Sequence, residues 1–597
     1  MSPDLPPVVP SVTAELVAAL SPRLRKRLDA GVTKLLARPV TREGDTVRIA
    51  VDDGTDLVLR APGGVVTGAD AIHCGCLLAP ACLHRAAAAS AAPVADDAAA
   101  PEPAAVTGTQ DGTEHTEEAA PAARPGPTSG ETEAGTVTAG QRAAAREVFD
   151  AAAAVLEAGT DGAGAVLQAE LLHAAHTARL AGLPRASAAA VSVVTAVRAA
   201  RTADPGYRLT DLADALAGVL GVAHRLPHAT GPDLTELRGT VRQPYRPDGS
   251  LRLYGLFSEP VLTATGHAGA VTWTADADGR LYTVSDVAPG GPARATGAAD
   301  RAVRMGDTAL THRELSRAGL AVSGATVSPT GRLGAGAGVR AVRASGAAWR
   351  AEPLDRLWAV PAAGQVTRAL SGGQDLLFLE VTLTGTVRET TGDCLLADCG
   401  GVPLRLAAAH DDPSLPYRDN LRLLAAAGGR LRIVARLAPG PIPRALLLAA
   451  EHPTDPDARV DLGLDRLQHA DLPAGAVAPP AGAAPTGDEA PLHLLRRRVH
   501  QAVSGGRRVL AFNGSTSGDA ARLRRLGLAT AAGLLDDLHT AAADRSRDAF
   551  GRLLPADTGR FARSWLAAAV YTDVVERALC AHAWGAAASG TGLPAGA

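Results

Sequence analysis

Apolar residues near the start of the chain recur first at helical and then at strand spacing. Between residues 11 and 37 they follow a roughly helical period, with Pro22 as a break. Two short alternating runs follow at 47–51 and 57–60, separated by an Asp-Asp-Gly-Thr turn signal. The pattern predicts a helical segment and a strand pair within a first unit that spans residues 1–91.

Residues 92–139 interrupt this patterning. The segment consists largely of Ala, Pro, Gly, Thr and Glu, contains no aromatic residue, and carries nine acidic residues against Arg124 alone. Such a segment cannot bury enough apolar surface to offset the entropy lost on ordering. We therefore predict a disordered acidic linker, which would leave the first unit free to move relative to the rest of the chain.

The remaining sequence alternates between helical and strand-like patterning. Residues 140–236 have an Ala-rich helical period and predict an α-helical unit. Residues 237–371 carry short apolar runs between turn signals and predict a β-rich domain. Residues 472–488 are again rich in Ala, Pro and Gly and predict a linker, and residues 489–597 predict a helical C-terminal unit.

Residues 372–471 carry the most specific β pattern. Three strand candidates, a short helix around 417–427 and two further strand candidates follow one another. The strand candidates are 376–389, 394–398, 402–406, 431–437 and 445–448. This is the order of an OB-like barrel, although order alone does not establish that the barrel closes. The predicted fold class is thus a multidomain α+β protein whose β-rich middle contains this OB-like order.

Composition narrows the classes of function. The 597 residues carry a formal net charge of −3 at pH 7, which excludes a globally basic nucleic-acid binder but permits a basic face on one domain. The sequence has no apolar run long enough to span a membrane and no leader-like start, so we expect a cytoplasmic protein. Six cysteines are too few for a disulfide framework, and three of them lie close together beside a histidine. That clustering points to metal binding.

The clustered residues have the spacing of metal ligands. Cys74, Cys76, Cys82 and His84 form the pattern CxCx5CxH. Four such ligands satisfy a tetrahedral structural Zn²⁺ and leave no open position for a substrate water. The prediction is one structural zinc ion held by these four side chains.

Some details of this centre are open at the level of sequence. His73 is an alternative ligand to His84, and the competing interpretation is a redox pair at Cys74 and Cys76 or a set of unrelated residues. Pro80 suits the first turn of a helix that would carry Cys82 and His84. The amide groups at the start of that helix, with Arg85 alongside, would offset the negative charge of three thiolates around Zn²⁺.

The CxC and CxH pairs, with a β-hairpin before them and a short helix after them, resemble the SWIM zinc finger. The resemblance covers about residues 45–92 and implies a small ββα finger in which Cys74, Cys76, Cys82 and His84 bind zinc. SWIM fingers are regarded as DNA- or protein-binding modules. The whole chain is similar to long SWIM-containing proteins of high-GC bacteria, which implies a partner such as a MoxR-type AAA ATPase or a von Willebrand A protein.

Two basic segments are candidates for contact with phosphate or with an acidic protein. The first is the run at 22–27, Pro-Arg-Leu-Arg-Lys-Arg. The second lies within 491–530, where eight arginines face one acidic residue, Asp519. These arginines are Arg496, Arg497, Arg498, Arg507, Arg508, Arg522, Arg524 and Arg525. The alternative interpretations are solvated helix faces or docking of the acidic linker onto the arginines.

Motifs that would indicate catalysis are missing from the sequence. Glu170, His173 and His176 share a helical face but lack the second Glu-x-x-His of a di-iron bundle. No Walker A pattern and no nucleophile elbow occur. The predicted function is a zinc-binding, non-enzymatic adaptor in a multi-protein assembly. The alternatives are a nucleic-acid-binding protein and an enzyme whose site lies unrecognised in the β-rich middle.

Overall fold

The structure, a computed structural model, describes most of the chain outside the two predicted linkers. The described residues are 5–52, 54–95, 135–240, 245–263, 266–306, 308–336, 338–389, 392–477, 482–483, 492–511, 517–544, 548–552, 554 and 556–586. Most of the predicted acidic linker, 96–134, lies outside them. Unit 1 comprises Met1–Arg242, Arg497–Ala520 and Gly533–Ala568, and unit 2 comprises Gln243–Arg496, Ala521–Ala532 and Ala569–Ala597.

Unit 1 begins with short helices and a four-stranded antiparallel sheet. Its first elements are α1 (Pro10–Ala18), α2 (Pro22–Arg25), α3 (Leu28–Leu36), β1 (Val40–Glu43), β2 (Thr46–Asp52), β3 (Thr55–Arg60), β4 (Ile72–Cys74) and α4 (Leu83–Ala91). The strands pair in the order β1-β2-β3-β4, and β2–β3 is the predicted hairpin. Alternation along the strands places Ile49, Leu57 and Ile72 in the core, where each is at most 1% exposed.

Five helices follow in unit 1, as the Ala-rich period predicts. They are α5 (Ala139–Gly162), α6 (Ala165–Leu180), α7 (Pro184–Arg201), α8 (Leu209–Arg225) and α9 (Gly231–Arg238). The start of α6 packs into the core of the N-terminal sheet through Ala165 and Ala169. Asp29 on α3 accepts hydrogen bonds from Ala165 N and Arg201 Nη2, each at 3.0 Å. This packing corrects the expectation that residues 1–91 move freely relative to the following helices.

Unit 2 opens with a five-stranded antiparallel sheet. Its strands are β5 (Arg246–Leu262), β6 (His267–Ala275), β7 (Leu281–Pro289), β8 (Gly319–Val327) and β9 (Arg340–Ala344), in the order β7-β6-β5-β8-β9. Four short helices accompany it: α10 (Pro292–Gly297), α11 (His312–Leu315), α12 (Arg356–Ala359) and α13 (Ala362–Leu370). The predicted β-rich character of this region is confirmed.

The second β region of unit 2 closes into a ring. The strands are β10 (Leu376–Glu389), β11 (Gly392–Cys399), β12 (Val402–Ala408), β13 (Gly429–Leu437) and β14 (Arg444–His452), and α14 (Tyr417–Ala427) lies between β12 and β13. β10 pairs with both β11 and β13, β11 with β12, and β13 with β14. A parallel pairing of β12 with β14 completes the ring. Closure, which strand order alone left open, is therefore present.

Two further strands extend this sheet, and helices follow. β15 (Asp455–Asp461) pairs with β14, and β16 (Gly482–Ala483) pairs with β10. The C-terminal helices are α15 (His493–Gly505), α16 (Arg507–Ala511), α17 (Ser517–Arg525), α18 (Ala529–Ala543) and α19 (Thr558–Ala583). Among the described residues, every helix is too short or too polar to cross a membrane.

Candidate metal centre

The four predicted ligands come from three consecutive pieces of backbone. Cys74 is the last residue of β4, Cys76 lies in the loop that follows, and Cys82 and His84 lie at the start of α4. β4 is fixed by antiparallel pairing of Leu57 with Cys74. The sheet edge and the helix start thus bring both ligand pairs together.

The separations between the ligand atoms suit a single metal ion. The ligand atoms of Cys74, Cys76, Cys82 and His84 all lie within 4.8 Å of one another. Sγ of Cys74 lies 3.6 Å from Nδ1 of His84. A sulfur and a nitrogen that bind one tetrahedral Zn²⁺ at the usual bond lengths are separated by about 3.6 Å. The four residues therefore fit a tetrahedral ion without rearrangement of this pair.

His73 is not part of this cluster. It precedes Cys74 on β4, where its exposed side chain alternates to the other side of the strand and its backbone pairs with Val58. The structure thus selects His84 over His73 as the imidazole beside the thiols. The other sequence candidate, the α6 face with Glu170, His173 and His176, forms no metal-sized group within the described residues.

The helix after the loop begins later than the sequence suggested. α4 starts at Leu83, and Cys82 occupies the N-cap position with extended backbone angles of φ −107° and ψ 154°. Pro80 lies outside the helix instead of in its first turn. The sulfur of Cys82 then lies at the start of the helix, near the free N–H groups of its first turn, although it forms no side-chain capping hydrogen bond.

Backbone N–H groups surround the thiols and shift their pKa values. Burial raises the pKa of the Cys82 thiol, although the N–H of Arg85 acts in the opposite direction. Burial also raises the pKa of Cys74 to about 12. For Cys76 burial is outweighed by N–H groups of Leu78 and Ala79 and by the neighbouring thiols, so its pKa is lowered. These N–H groups favour the thiolate form that a metal ion requires.

Arg85 connects the pieces of backbone around the centre. It is only 8% exposed, and its Nε and Nη1 donate to Ile72 O and Pro80 O, each at 2.5 Å. Its Nη2 donates to Ala69 O. One guanidinium therefore holds the segment before β4, the strand itself and the ligand loop. The sequence placed Arg85 beside the negative charge of the predicted thiolates. Its three hydrogen bonds to the surrounding backbone, which we call the Arg85 brace, were not predictable, because no motif marks such an arginine.

The ligand loop also presents apolar side chains to solvent. Leu77 and Leu78 lie between Cys76 and Cys82, with Leu77 fully exposed and Leu78 62% exposed. A turn closed by Ala79 N and Cys76 O shapes the loop. We call Leu77 and Leu78 the apolar tip.

The arginine-rich C-terminal segment is less basic at its surface than its sequence indicates. Arg498 is buried and bonds Asp519 at 2.7 Å, and Arg496 pairs with Glu576. Arg507 is 2% exposed. Two of the eight arginines are thus buried and a third is paired with a carboxylate, which weakens the interpretation of the segment as one phosphate-binding or linker-binding surface.

Comparisons with known proteins found no relative of the chain. No protein-family model, no curated protein and no solved structure matches it. The metal centre therefore has to be interpreted from its own geometry.

Proposed function

We propose that the chain is a non-enzymatic adaptor in which a structural Zn²⁺ fixes the ligand loop, so that the apolar tip docks on a protein partner. The observation that carries this proposal is the full exposure of Leu77 between two predicted ligands, Cys76 and Cys82. An exposed apolar residue on a rigid loop loses little conformational entropy on binding, so it suits a contact with a protein.

The donor set supports zinc as the metal. Three thiolates and one imidazole are borderline-soft ligands that zinc prefers, and four protein ligands complete a tetrahedron. Such a closed centre leaves no site for a substrate, which supports a structural role. Zinc bound there would supply folding free energy and no reaction chemistry.

The order of elements supports assignment to the SWIM type. The β2–β3 hairpin precedes the CxC pair, and α4 follows the CxH pair. The resemblance makes a MoxR-type AAA ATPase or a von Willebrand A protein the first partner to test.

The closed strand ring supports an OB-like barrel, but its surface charges disfavour the nucleic-acid alternative. Outward arginines are matched by carboxylates: Arg388 with Asp393, Arg405 with Glu389 and Arg430 with Glu380. Phe378 is the only Phe, Tyr or Trp on the five ring strands, and it is 3% exposed. Oligonucleotides bind through unmatched basic groups and stacking aromatics, so we assign this barrel a scaffolding role.

The proposal is tested by capture with a variant of the apolar tip. Wild-type protein, the double variant Leu77→Ser/Leu78→Ser, and the control Val342→Ser are immobilised and exposed to a lysate of the native organism and to purified candidate partners. Val342 is also exposed, at 59%, but lies on β9. We expect one partner to bind wild type and control but not the double variant, with equal zinc content in all three.

Two results would overturn this function. An unchanged set of captured proteins with the double variant would remove the apolar tip as the docking element. Binding of plain duplex or single-stranded DNA that weakens steeply with salt would favour the nucleic-acid alternative, because phosphate contacts release counterions.

A further inference from the structure

A surface cavity in unit 1 lies far in sequence from the metal ligands. Its volume is about 470 Å³, and it is bordered by α5, by the start of α16 and by the start of α19. Small residues of α5 form one wall, and the polar groups are Glu157, Arg507, Arg508 and Thr558. The cavity has the size of a site for a small molecule.

Arg507 is held rigidly, with part of its donor capacity unused. Its Nε donates to Ala542 O at 3.0 Å, and its Nη2 donates to Ala541 O at 2.7 Å and Asp544 O at 2.6 Å. Its Nη1 is buried and has no hydrogen-bond acceptor among the described residues. A guanidinium has five N–H donors, so two donors on Nη1 remain without an acceptor. A buried donor of this kind is costly unless a ligand supplies the acceptor.

Glu157 stands close to these donors without satisfying them. The Thr558 hydroxyl donates to Oε2 of Glu157. The other oxygen, Oε1, lies 3.9 Å from Arg507 Nη1, which is too far for a hydrogen bond. Arg508 is exposed on the same cavity, and no partner for it is found within the described part of the chain. Two arginines against one carboxylate leave one positive charge for a ligand.

Glycine contacts fix the walls of the cavity. Gly159 on α5 and Gly506 just before α16 both have positive φ, at 70°. A Cβ on Gly159 would lie 2.3 Å from Gly506 N, and one on Gly506 would lie 2.4 Å from Glu157 O. The backbones carrying Glu157 and Arg507 thus meet at a distance that only glycine allows, so the polar groups are positioned before any ligand binds.

We propose that this cavity binds a phosphate group, as inorganic phosphate or as a small phosphate monoester. One phosphate oxygen accepts from Nη1 of Arg507, and a second pairs with Arg508. A protonated phosphate oxygen donates to Oε1 of Glu157. The volume beyond the phosphate accommodates the organic part of a monoester.

The carboxylate makes the site selective for a protonated oxyanion. A phosphate group titrates near neutral pH and so retains a proton in part of its population, whereas sulfate carries none there. The oxygen lone pairs of sulfate would therefore repel those of the Glu157 carboxylate. The site should prefer phosphate to sulfate, and its affinity for phosphate should fall as the pH rises above neutrality.

Calorimetric titration of the full-length protein tests this site. The probes are sodium phosphate, sodium sulfate and glycerol phosphate, and the proteins are wild type, Glu157→Gln, Arg508→Ser and the control Arg497→Ser. Arg497 is exposed but does not line the cavity. Thermal unfolding confirms that each variant is folded before titration.

We expect wild type and Arg497→Ser to bind phosphate at least about tenfold more tightly than sulfate. Arg508→Ser should lose about tenfold or more in phosphate affinity. Glu157→Gln should bind both anions within about threefold, because its amide can donate to sulfate. Tighter binding of glycerol phosphate identifies a monoester as the ligand, and tighter binding of inorganic phosphate identifies the free ion.

Absence of phosphate binding to wild type at about 20 mM would overturn the proposal, since even a millimolar site would be half filled at lower concentrations. Equal phosphate affinity of wild type and Arg508→Ser would also overturn it. Equal binding of phosphate and sulfate by wild type would overturn the role of Glu157.

Discussion

Replacement of Arg85 by methionine tests the Arg85 brace while leaving the four predicted ligand residues unchanged. The change removes three hydrogen bonds, to Ile72 O, Pro80 O and Ala69 O, and keeps an unbranched apolar stem. A hydrogen bond from a charged donor contributes about 1.5–3 kcal/mol when its acceptor stays buried. Pro80 is exposed and Ala69 half-buried, so their carbonyls regain part of this from water. We therefore expect a total loss of about 3 kcal/mol.

The same change should weaken zinc binding, because groups that support metal ligands typically contribute about 10- to 100-fold in affinity. Competition with a chromophoric chelator measures the affinity, and urea unfolding of the zinc-loaded protein measures the stability. Arg60→Met on β3 is the control, since Arg60 is exposed. An Arg85→Met protein with wild-type zinc affinity and stability would refute the brace. Recovery in Arg85→Lys should be partial, because an ammonium cannot reproduce the planar fork.

Three further predictions concern the metal content, the coupling of α6 to the N-terminal sheet and the pH dependence of folding stability. Metal analysis should find one zinc per chain, and Cys82→Ser should lose it, whereas retention of zinc by that variant would contradict the ligand assignment. Removal of zinc should reduce hydrogen-exchange protection in α6 as well as in β4 and α4, since Ala165 and Ala169 belong to the core of the N-terminal sheet; unchanged protection in α6 would show that the two regions are uncoupled. Burial lowers the pKa of His312 from 6.5 to about 4, so folding stability should fall as the pH drops from 6.5 toward 4, by up to about 3 kcal/mol. His312→Gln should flatten this pH dependence in urea unfolding, and an equally steep profile in the variant would exclude His312 as its source.

Local patterns in the sequence predicted much of the fold and the grouping of three cysteines with one histidine. The ring strands and α14 were predictable because each carries its own apolar period and turn residues. The clustering of these four side chains was predictable because CxC and CxH place four sulfur and nitrogen donors on short, stiff pieces of chain. Closure of the ring was not, since the β12–β14 pairing joins segments separated by a helix and a strand.

Predictions that depended on distant partners were weaker. The eight arginines of 491–530 were counted as one basic segment, but the carboxylate that pairs with Arg496 belongs to Glu576 on α19. The freedom assigned to residues 1–91 failed because Ala165 lies beyond the linker, and an alanine in an Ala-rich helix carries no signal of its neighbour. A charge count along the chain cannot include partners that the fold supplies.

The closed ring of unit 2 has a consequence for how the chain acquires its structure. Leu376 must find Arg436, and Arg405 must find Arg444, before all five ring strands have both neighbours. Pairings between such distant positions incur loop-closure entropy first and gain contacts later, which slows folding. Until the ring closes, its strands expose unpaired N–H and C=O groups that can pair with another chain. The time spent in that open state sets the interval during which the protein is most prone to aggregate while it is being made.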